Sequence, residues 1–310
     1  MKKDFLSIVI PLYNEEESLP ELYKELKKVL SKYKYEIIFI DDGSTDNSFN
    51  ILLKLKKNDK NIKIIKFKRN YGKSYALEAG FRNVTGDYII TMDADLQDNP
   101  FEIDNLVKAI KSNEYDAISG WKYRRYDPLS KVIASRFFNF IVRIFTGIKL
   151  HDMNCGLKIY KKDTIKDLHL YGSMHRYIPV LLKFDGYKFG EIKVKHRARK
   201  YGKSKFGNKR FLAGLLDFFT VLFLMKFMEK PLHLFGTIGL FFDLVGGVIL
   251  GYITYLRIIY HTINNRLPLL NGGILLILIG FQFISIGLLG ELMVGRNFRK
   301  KRYVIEKYIK

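Results

Sequence analysis

Apolar and polar residues follow two alternating periods over the first 120 positions. Short, nearly continuous apolar runs at Leu6–Pro11, Tyr35–Ile40, Ile62–Phe67, Asp87–Met92 and Asp116–Gly120 predict buried strands, because a strand covered on both faces shows no polar side. Between them, Ser18–Tyr33 sets Leu19, Leu22, Leu26 and Leu30 at helical spacing, and Thr45–Lys57, Lys73–Asn83 and Phe101–Ser112 predict further helices. Strand and helix in turn predict an α/β domain with a mostly parallel, Rossmann-like sheet covered on both faces.

After residue 125 the pattern changes. Leu129–Phe145 and Arg210–Met228 are amphipathic and rich in Phe and Leu, with basic margins. They predict helices lying in a membrane interface, over 129–148 and 211–230, with ordinary core helices as the alternative. Leu267–Gly290 is 24 residues without a charge, enough to cross about 30 Å of hydrocarbon as a helix. Leu232–Leu256 is a second apolar stretch, broken only by His233 and Asp243. The expected organisation is an α/β domain over 1–210, two transmembrane helices at about 232–256 and 267–291, and a basic tail over 296–310. Lys and Arg crowd the outer flanks of the hairpin, which places both termini in the cytoplasm; a buried hairpin of a soluble domain is the alternative. Asp243, mid-span, is expected to contact a partner helix in an oligomer or Gln282 of the neighbouring span, and Gly236, Gly239, Gly246, Gly247 and Gly251 to allow close packing.

Charge adds a constraint. The 310 residues hold 53 Lys+Arg against 31 Asp+Glu, a net +22, which calls for an anionic partner: nucleic acid, a membrane surface or a phosphorylated substrate. The one cysteine, Cys155, excludes an internal disulfide, fits a reducing compartment and reads as a small buried residue. No signal peptide is read at the start, where a short apolar run soon meets Pro11 and three glutamates.

The candidate chemistry lies at strand ends, where parallel α/β sheets collect ligands. Three such ends carry Pro11-Leu12-Tyr13-Asn14-Glu15, Asp41-Asp42-Gly43-Ser44-Thr45-Asp46 and Asp93-Ala94-Asp95-Leu96-Gln97. Asp46 and Asp98 read as helix caps. Asp93 and Asp95 need a cation to offset their repulsion. With Gln97 as a neutral oxygen donor they make a candidate Mg2+ or Mn2+ site that would bridge to a diphosphate.

Taken in order, SIVIPLYNEEESL, IDDGSTDNS, NYGKSYALEAGF, MDADLQDNP, HDMNCGLKIY and RKYGKSKF, followed by the apolar hairpin, resemble the family 2 glycosyltransferases of the GT-A fold. Within them the chain is most similar to polyprenyl-phosphate sugar synthases such as dolichol-phosphate mannose synthase and bacterial undecaprenyl-phosphate glucosyltransferases. The resemblance implies inverting transfer of a hexose from a nucleotide-sugar of the UDP-glucose or GDP-mannose type to polyprenyl phosphate, yielding a lipid-linked sugar for cell-envelope or glycan modification. It also implies roles. Pro11, Tyr13 and Glu15 line the nucleotide pocket, Asp41 or Asp42 accepts from the base, and Gly43 leaves room for close approach. Asp93 and Asp95 hold metal and diphosphate with Gln97 assisting, and Arg199, Ser204 and Lys205 sit on a basic loop that closes over the diphosphate.

The acceptor side is read from charge. Lys122, Arg124, Arg125, Lys131, Ser135 and Arg136 are candidate donors to a lipid phosphate. Gly120-Trp121-Lys122 stands where family members commonly carry Gly-Ser-Arg. Asp152 either assists at the acceptor or caps a turn. Two competing classes remain. A polysaccharide-extending enzyme would need more spans and a Q-x-x-R-W-type motif, which is absent. A non-catalytic basic binder is allowed by charge, but the chain shows no nucleic-acid motif.

Overall fold

The computed structural model describes residues 4–123, 139–140, 142–144, 146–148, 150–198, 200–201, 230–262 and 266–297, with single positions at 220, 223 and 227. Contacts divide the chain into two compact units, Met1–Val221 and Leu222–Lys310.

In the first unit, among the described residues, seven strands form one sheet in the order β3-β2-β1-β4-β6-β5-β7. The strands are β1 (Phe5–Leu12), β2 (Lys34–Asp41), β3 (Ile62–Lys66), β4 (Tyr88–Thr91), β5 (Ala117–Lys122), β6 (Lys158–Lys161) and β7 (Phe189–Val194). The first five match the apolar runs within two residues at either end. The run FLSIVIPL is buried along seven of its eight residues because β1 is flanked by parallel strands on both edges. Helix α1 (Leu19–Leu30) buries Leu19, Leu22, Leu26, Val29 and Leu30, one apolar stripe at three- and four-residue spacing, onto the main core. Helices α2 (Ser48–Asn58) and α3 (Lys73–Arg82) follow β2 and β3; α4 (Ile103–Lys111) buries Ile103, Leu106, Val107 and Ile110 in the same way.

Register sets the functional end. Leu12 pairs with Asp41 and Val9 with Thr91, so the carboxyl ends of β1, β2 and β4 lie side by side. Two strands were not foreseen: β7, which pairs parallel with β5, and β6, which runs antiparallel between β4 and β5, with Thr91 opposite Lys158 and Lys158 opposite Ser119. β6 is four residues long, with a lysine at each end, too brief to show a period of its own. A single helical turn (Lys162–Ile165) and α5 (Ile178–Phe184) lead to β7.

The second unit pairs α6 (Pro231–Tyr260) with α7 (Leu267–Asn297). Both are long and apolar enough to cross a membrane, and only 17% of the most apolar stretch of each is buried. Their outward faces carry Leu240, Leu244, Val248, Leu278 and Phe281, an exposure that suits lipid and not water. The seam uses glycines seven residues apart. A Cβ on Gly239 would meet Gly280 O at 2.6 Å, and one on Gly246 would meet Gly273 O at 2.8 Å. Gly247 and Gly251 meet nothing within 4 Å and Gly236 meets only Leu232, so these three do not make the seam. Asp243 lies against Gly280 of α7, and its Oδ1 accepts no hydrogen bond among the described residues, from Gln282 or otherwise.

Candidate functional site

Three loops meet beyond β1, β2 and β4. Asn14, at φ 53°, turns the chain after β1, and asparagine tolerates that left-handed conformation. Its N–H donates to Ser44 Oγ (2.9 Å) and its Oδ1 accepts from Thr45 N–H (2.8 Å), stitching this loop to the one after β2. Glu15 N–H donates to Ser48 Oγ (2.9 Å). Pro11 is buried here, and Tyr13 and Glu15 are half-buried.

Geometry separates Asp41 from Asp42. Asp42 is committed to the fold: Tyr71 N–H donates to its Oδ1 (2.7 Å) and Gly72 N–H to its Oδ2 (2.9 Å). Burial pushes its carboxyl up, against the pull of those two bonds. Asp41 is fully buried; Ser44 N–H donates to its Oδ1 (2.8 Å), while Oδ2 has no hydrogen-bond partner among the described residues. Gly43 sits between loops at φ 74°, where a Cβ would overlap the Arg69 carbonyl carbon.

The turn after β4 carries the acidic set. Gln97 N–H donates to Asp95 Oδ1 (3.1 Å) across Leu96, itself left-handed at φ 61°. Asp95 is buried, and Asp93 and Gln97 are half-buried. Asp93 Oδ1 pairs with Lys73 Nζ. Burial pushes the Asp93 carboxyl up, but Lys73, then Lys122 and Lys158, outweigh it and bring it down to about 2. Gly156 makes the cradle: a Cβ there would meet Asp93 Cγ and Asp98 Oδ2, each at 2.6 Å.

Asp98 is no helix cap, in contrast to the expectation. Asn99 has that role, accepting from Phe101 N–H (3.2 Å). Asp98 turns inward, its Oδ1 3.1 Å from Lys122 Nζ and its Oδ2 accepting from Asp93 N–H (3.3 Å). Asp46 likewise lies one position before the N-cap, Asn47, although its Oδ1 accepts from Ser48 N–H at the helix start (3.0 Å). The structure thereby turns Lys122 away from an exposed acceptor surface: its side chain is 13% exposed and serves Asp98. Against burial, Asp98 foremost keeps that ammonium well above the usual lysine range. Lys158 is buried and donates to Cys155 O. Burial pushes the Cys155 thiol up to about 12, which leaves it protonated and inert.

On the β5–β7 side, Glu191 gathers the loop holding Asp152. It accepts from Asp152 N–H (2.9 Å), from His151 N–H (3.0 Å) and from His151 Nδ1 (2.8 Å). The His151 ring stacks on Trp121 with centroids 4.1 Å apart. Asp152 is buried, and its Oδ1 accepts from Asn154 N–H (3.1 Å), so it does cap a turn. His175, bonded through Nδ1 to Ser74 Oγ (2.9 Å), also faces the cluster; burial first, then Lys73, brings its imidazole well below the usual range and leaves it neutral.

Lys73, Asp98, Lys158, His175 and Glu191 are thus site residues that the sequence did not single out. Lys73, Asp98 and Lys158 had a signal, their places inside NYGKSYALEAGF, MDADLQDNP and HDMNCGLKIY; His175 and Glu191 had none. Arg124, Arg125, Lys131, Ser135, Arg136, Arg199, Ser204 and Lys205 lie outside the described residues, as do most positions of the two amphipathic segments.

The acidic turn suits a hard divalent cation. Asp93 stays ionised, Asp95 and Gln97 add oxygen donors to the turn, and no third carboxylate, His or Cys completes a protein cage among the described residues. Mg2+ in particular binds in this way, through one or two carboxylates plus substrate phosphates.

The chain is similar to known proteins along most of its length. The profile "Glycosyl transferase family 2" matches residues 7–168. The chain is 35% identical over 300 residues to dodecaprenyl-phosphate galacturonate synthase of Rhizobium johnstonii, covering 95% of this chain and 89% of that one. It is 36% identical over 308 residues to undecaprenyl-phosphate 4-deoxy-4-formamido-L-arabinose transferase of Shewanella sediminis, covering 96% and 89%. Glucosyl-3-phosphoglycerate synthase from Mycobacterium tuberculosis, solved with Mn2+ and UDP-glucose, superposes with a TM-score of 0.55 at 18% identity over 72% of this chain and 79% of that one. That likeness speaks for the fold, which is GT-A.

Proposed function

The chain belongs to glycosyltransferase family 2, and from that premise we propose that it transfers a sugar, with inversion, from a nucleotide-sugar to polyprenyl phosphate at the cytoplasmic face of a membrane. The observation that carries this reading is the placement, at the carboxyl ends of the two strands that flank β1, of a buried Asp41 oxygen with no hydrogen-bond partner among the described residues and of a lysine-ringed acidic turn. The first would accept from a nucleobase N–H; the second would receive a diphosphate. Two relatives that align with this chain over more than 85% of their length are named for polyprenyl-phosphate acceptors, and the two apolar helices suit a lipid co-substrate.

The chemistry is one in-line displacement at the anomeric carbon. Mg2+ or Mn2+, held by Asp93, Asp95 and Gln97, would neutralise charge on the departing diphosphate. A phosphate monoester, with a second pKa of about 6, is already largely anionic at neutral pH and needs little help from a base. Asp152, clamped by Glu191, would orient the acceptor. With Lys122 engaged by Asp98, the acceptor phosphate falls to Arg124, Arg125, Lys131, Ser135 and Arg136, and closure over the donor to Arg199, Ser204 and Lys205. The donor is of the UDP-glucose or GDP-mannose type, with a hexose transferred.

The test uses the full chain in nanodiscs with polyprenyl phosphate, a divalent cation and radiolabelled nucleotide-sugars tried singly, including uronic acid and amino-pentose donors. Label extracted into organic solvent supports the reading; label in polymer, or none with any donor, overturns it.

Two variants probe the assignments. Asp41→Asn puts an amide donor where Oδ2 stood, so nucleotide diphosphate affinity should fall about 10- to 100-fold, the worth of a bond to a charged acceptor, with little change in melting temperature. An unchanged Kd by calorimetry removes Asp41 from the base. Glu191→Ala strips the acceptor from two backbone N–H groups and His151. It should lower turnover about 10- to 100-fold, the scale for small displacements of a positioned group, while nucleotide affinity holds. Glu191→Gln, which keeps one acceptor, should recover part of the loss; equal loss of nucleotide binding would mark Glu191 as merely structural.

A further inference from the structure

Lys73 occupies an unusual place for a lysine. It is the first residue of α3, where a cation opposes the helix dipole and no acidic residue of the first turn offsets it. Its backbone is fixed from behind: Tyr71 and Gly72 donate to Asp42, and Gly72 holds φ 99° and ψ 159°, a conformation essentially restricted to glycine. What holds the ammonium is Asp93, just beyond the carboxyl end of β4.

Three lysines, Lys73, Lys122 and Lys158, act on Asp93. Two of them are committed elsewhere and enclosed: Lys122 to Asp98, and Lys158, 4% exposed, to Cys155 O. Lys73 differs. Its side chain is 32% exposed and its carboxylate partner 31% exposed, so this is the pair that solvent and ligand can reach. Asp93, Asp98 and Asp152 are thereby matched by three ammonium groups, and Arg176 stands near His175 in the same cluster. A divalent cation approaching alone meets a carboxylate already taken and positive neighbours around it. A diphosphate changes that balance by bringing its own negative charge and a new partner for the lysine.

We propose that Lys73 is a resident counter-ion of Asp93: it keeps the divalent cation out until a nucleotide diphosphate arrives, then exchanges its ion pair with Asp93 for one with the diphosphate and so frees Asp93. Metal uptake is therefore conditional on the nucleotide. This rests on the reading of the acidic turn given under the proposed function.

The experiment measures two affinities on the full-length protein in nanodiscs, each with one ligand omitted. Manganese binding without nucleotide is followed by electron paramagnetic resonance, and nucleoside diphosphate binding without metal, in chelator, by calorimetry. Lys73→Met, of similar length and without charge, should bind manganese at least 10-fold more tightly than the wild type, and metal-free nucleotide at least 10-fold more weakly. Lys73→Arg, which keeps the charge, should resemble the wild type on manganese. The proposal is overturned if Lys73→Met leaves either affinity unchanged, or if Lys73→Arg gains manganese as Lys73→Met does. Wild-type protein that binds nucleotide normally in those cases loses only the role of Lys73; folded wild-type protein that takes up neither nucleotide nor manganese, together or apart, loses the glycosyl-transfer reading as well.

Discussion

Asp95→Ala should reduce lipid-linked sugar formation about 100- to 1,000-fold, the scale for removing one electrostatic contributor aimed at developing charge. Two losses combine in this variant. The carboxylate that would hold the cation goes, and so does the acceptor for Gln97 N–H that keeps Leu96 at φ 61°. Asp95→Asn separates them. Its amide oxygen can still take the Gln97 N–H, so the turn and the melting temperature should survive while activity stays near that of Asp95→Ala. Organic-extractable label from a radiolabelled donor, read beside a thermal melt, checks both. Full turnover in either variant would remove Asp95 from the chemistry.

Gly156→Ala should be nearly as damaging, although the change is one methyl group far along the chain from the acidic turn. That methyl would sit 2.6 Å from Asp93 Cγ and from Asp98 Oδ2. Neither carboxylate can retreat freely: Asp98 is held by Lys122 and Asp93 by Lys73, and Gly156 O itself accepts from Thr91 Oγ1 (2.8 Å). Overpacking of this kind costs about 1–3 kcal/mol, so the domain should still fold with a melting temperature lowered by a few degrees. Displacing catalytic groups by about 1 Å can cost 100-fold in rate, and a loss of that order is expected. Gly247→Ala, whose methyl meets nothing within 4 Å, is the control and should leave melting and activity near wild type. A fully active Gly156→Ala would show that the Asp93–Asp98 pair tolerates rearrangement.

The divide between what was legible and what was not follows sequence distance. Five of the six parallel strands, β1 to β5, could be read because each is a nearly continuous apolar run, and α1 and α4 because their buried residues repeat at three and four positions. The acidic turn was legible for the same reason: Asp93, Asp95 and Gln97 lie within five consecutive residues and need no fold to bring them together. The two long apolar helices announced themselves by length and near-absence of charge.

Tertiary structure decided whatever depends on partners remote in the chain. Asp41 and Asp42 are chemically alike and adjacent, and only the backbone of Tyr71 and Gly72, about thirty residues on, assigns one to the fold and leaves the other with an oxygen that has no hydrogen-bond partner among the described residues. Asp98 looked like a cap until β5 set Lys122 beside it. β6, with its two lysines, could not be told from a loop, yet its antiparallel insertion carries Lys158 to the acidic cluster. Glu191 reaches the Asp152 loop through strand pairing alone. Local sequence dictates period, burial and turn chemistry because those interactions close within a few residues. The ionic partners of the site close across the sheet, so their identity belongs to the register of the strands and to no segment by itself.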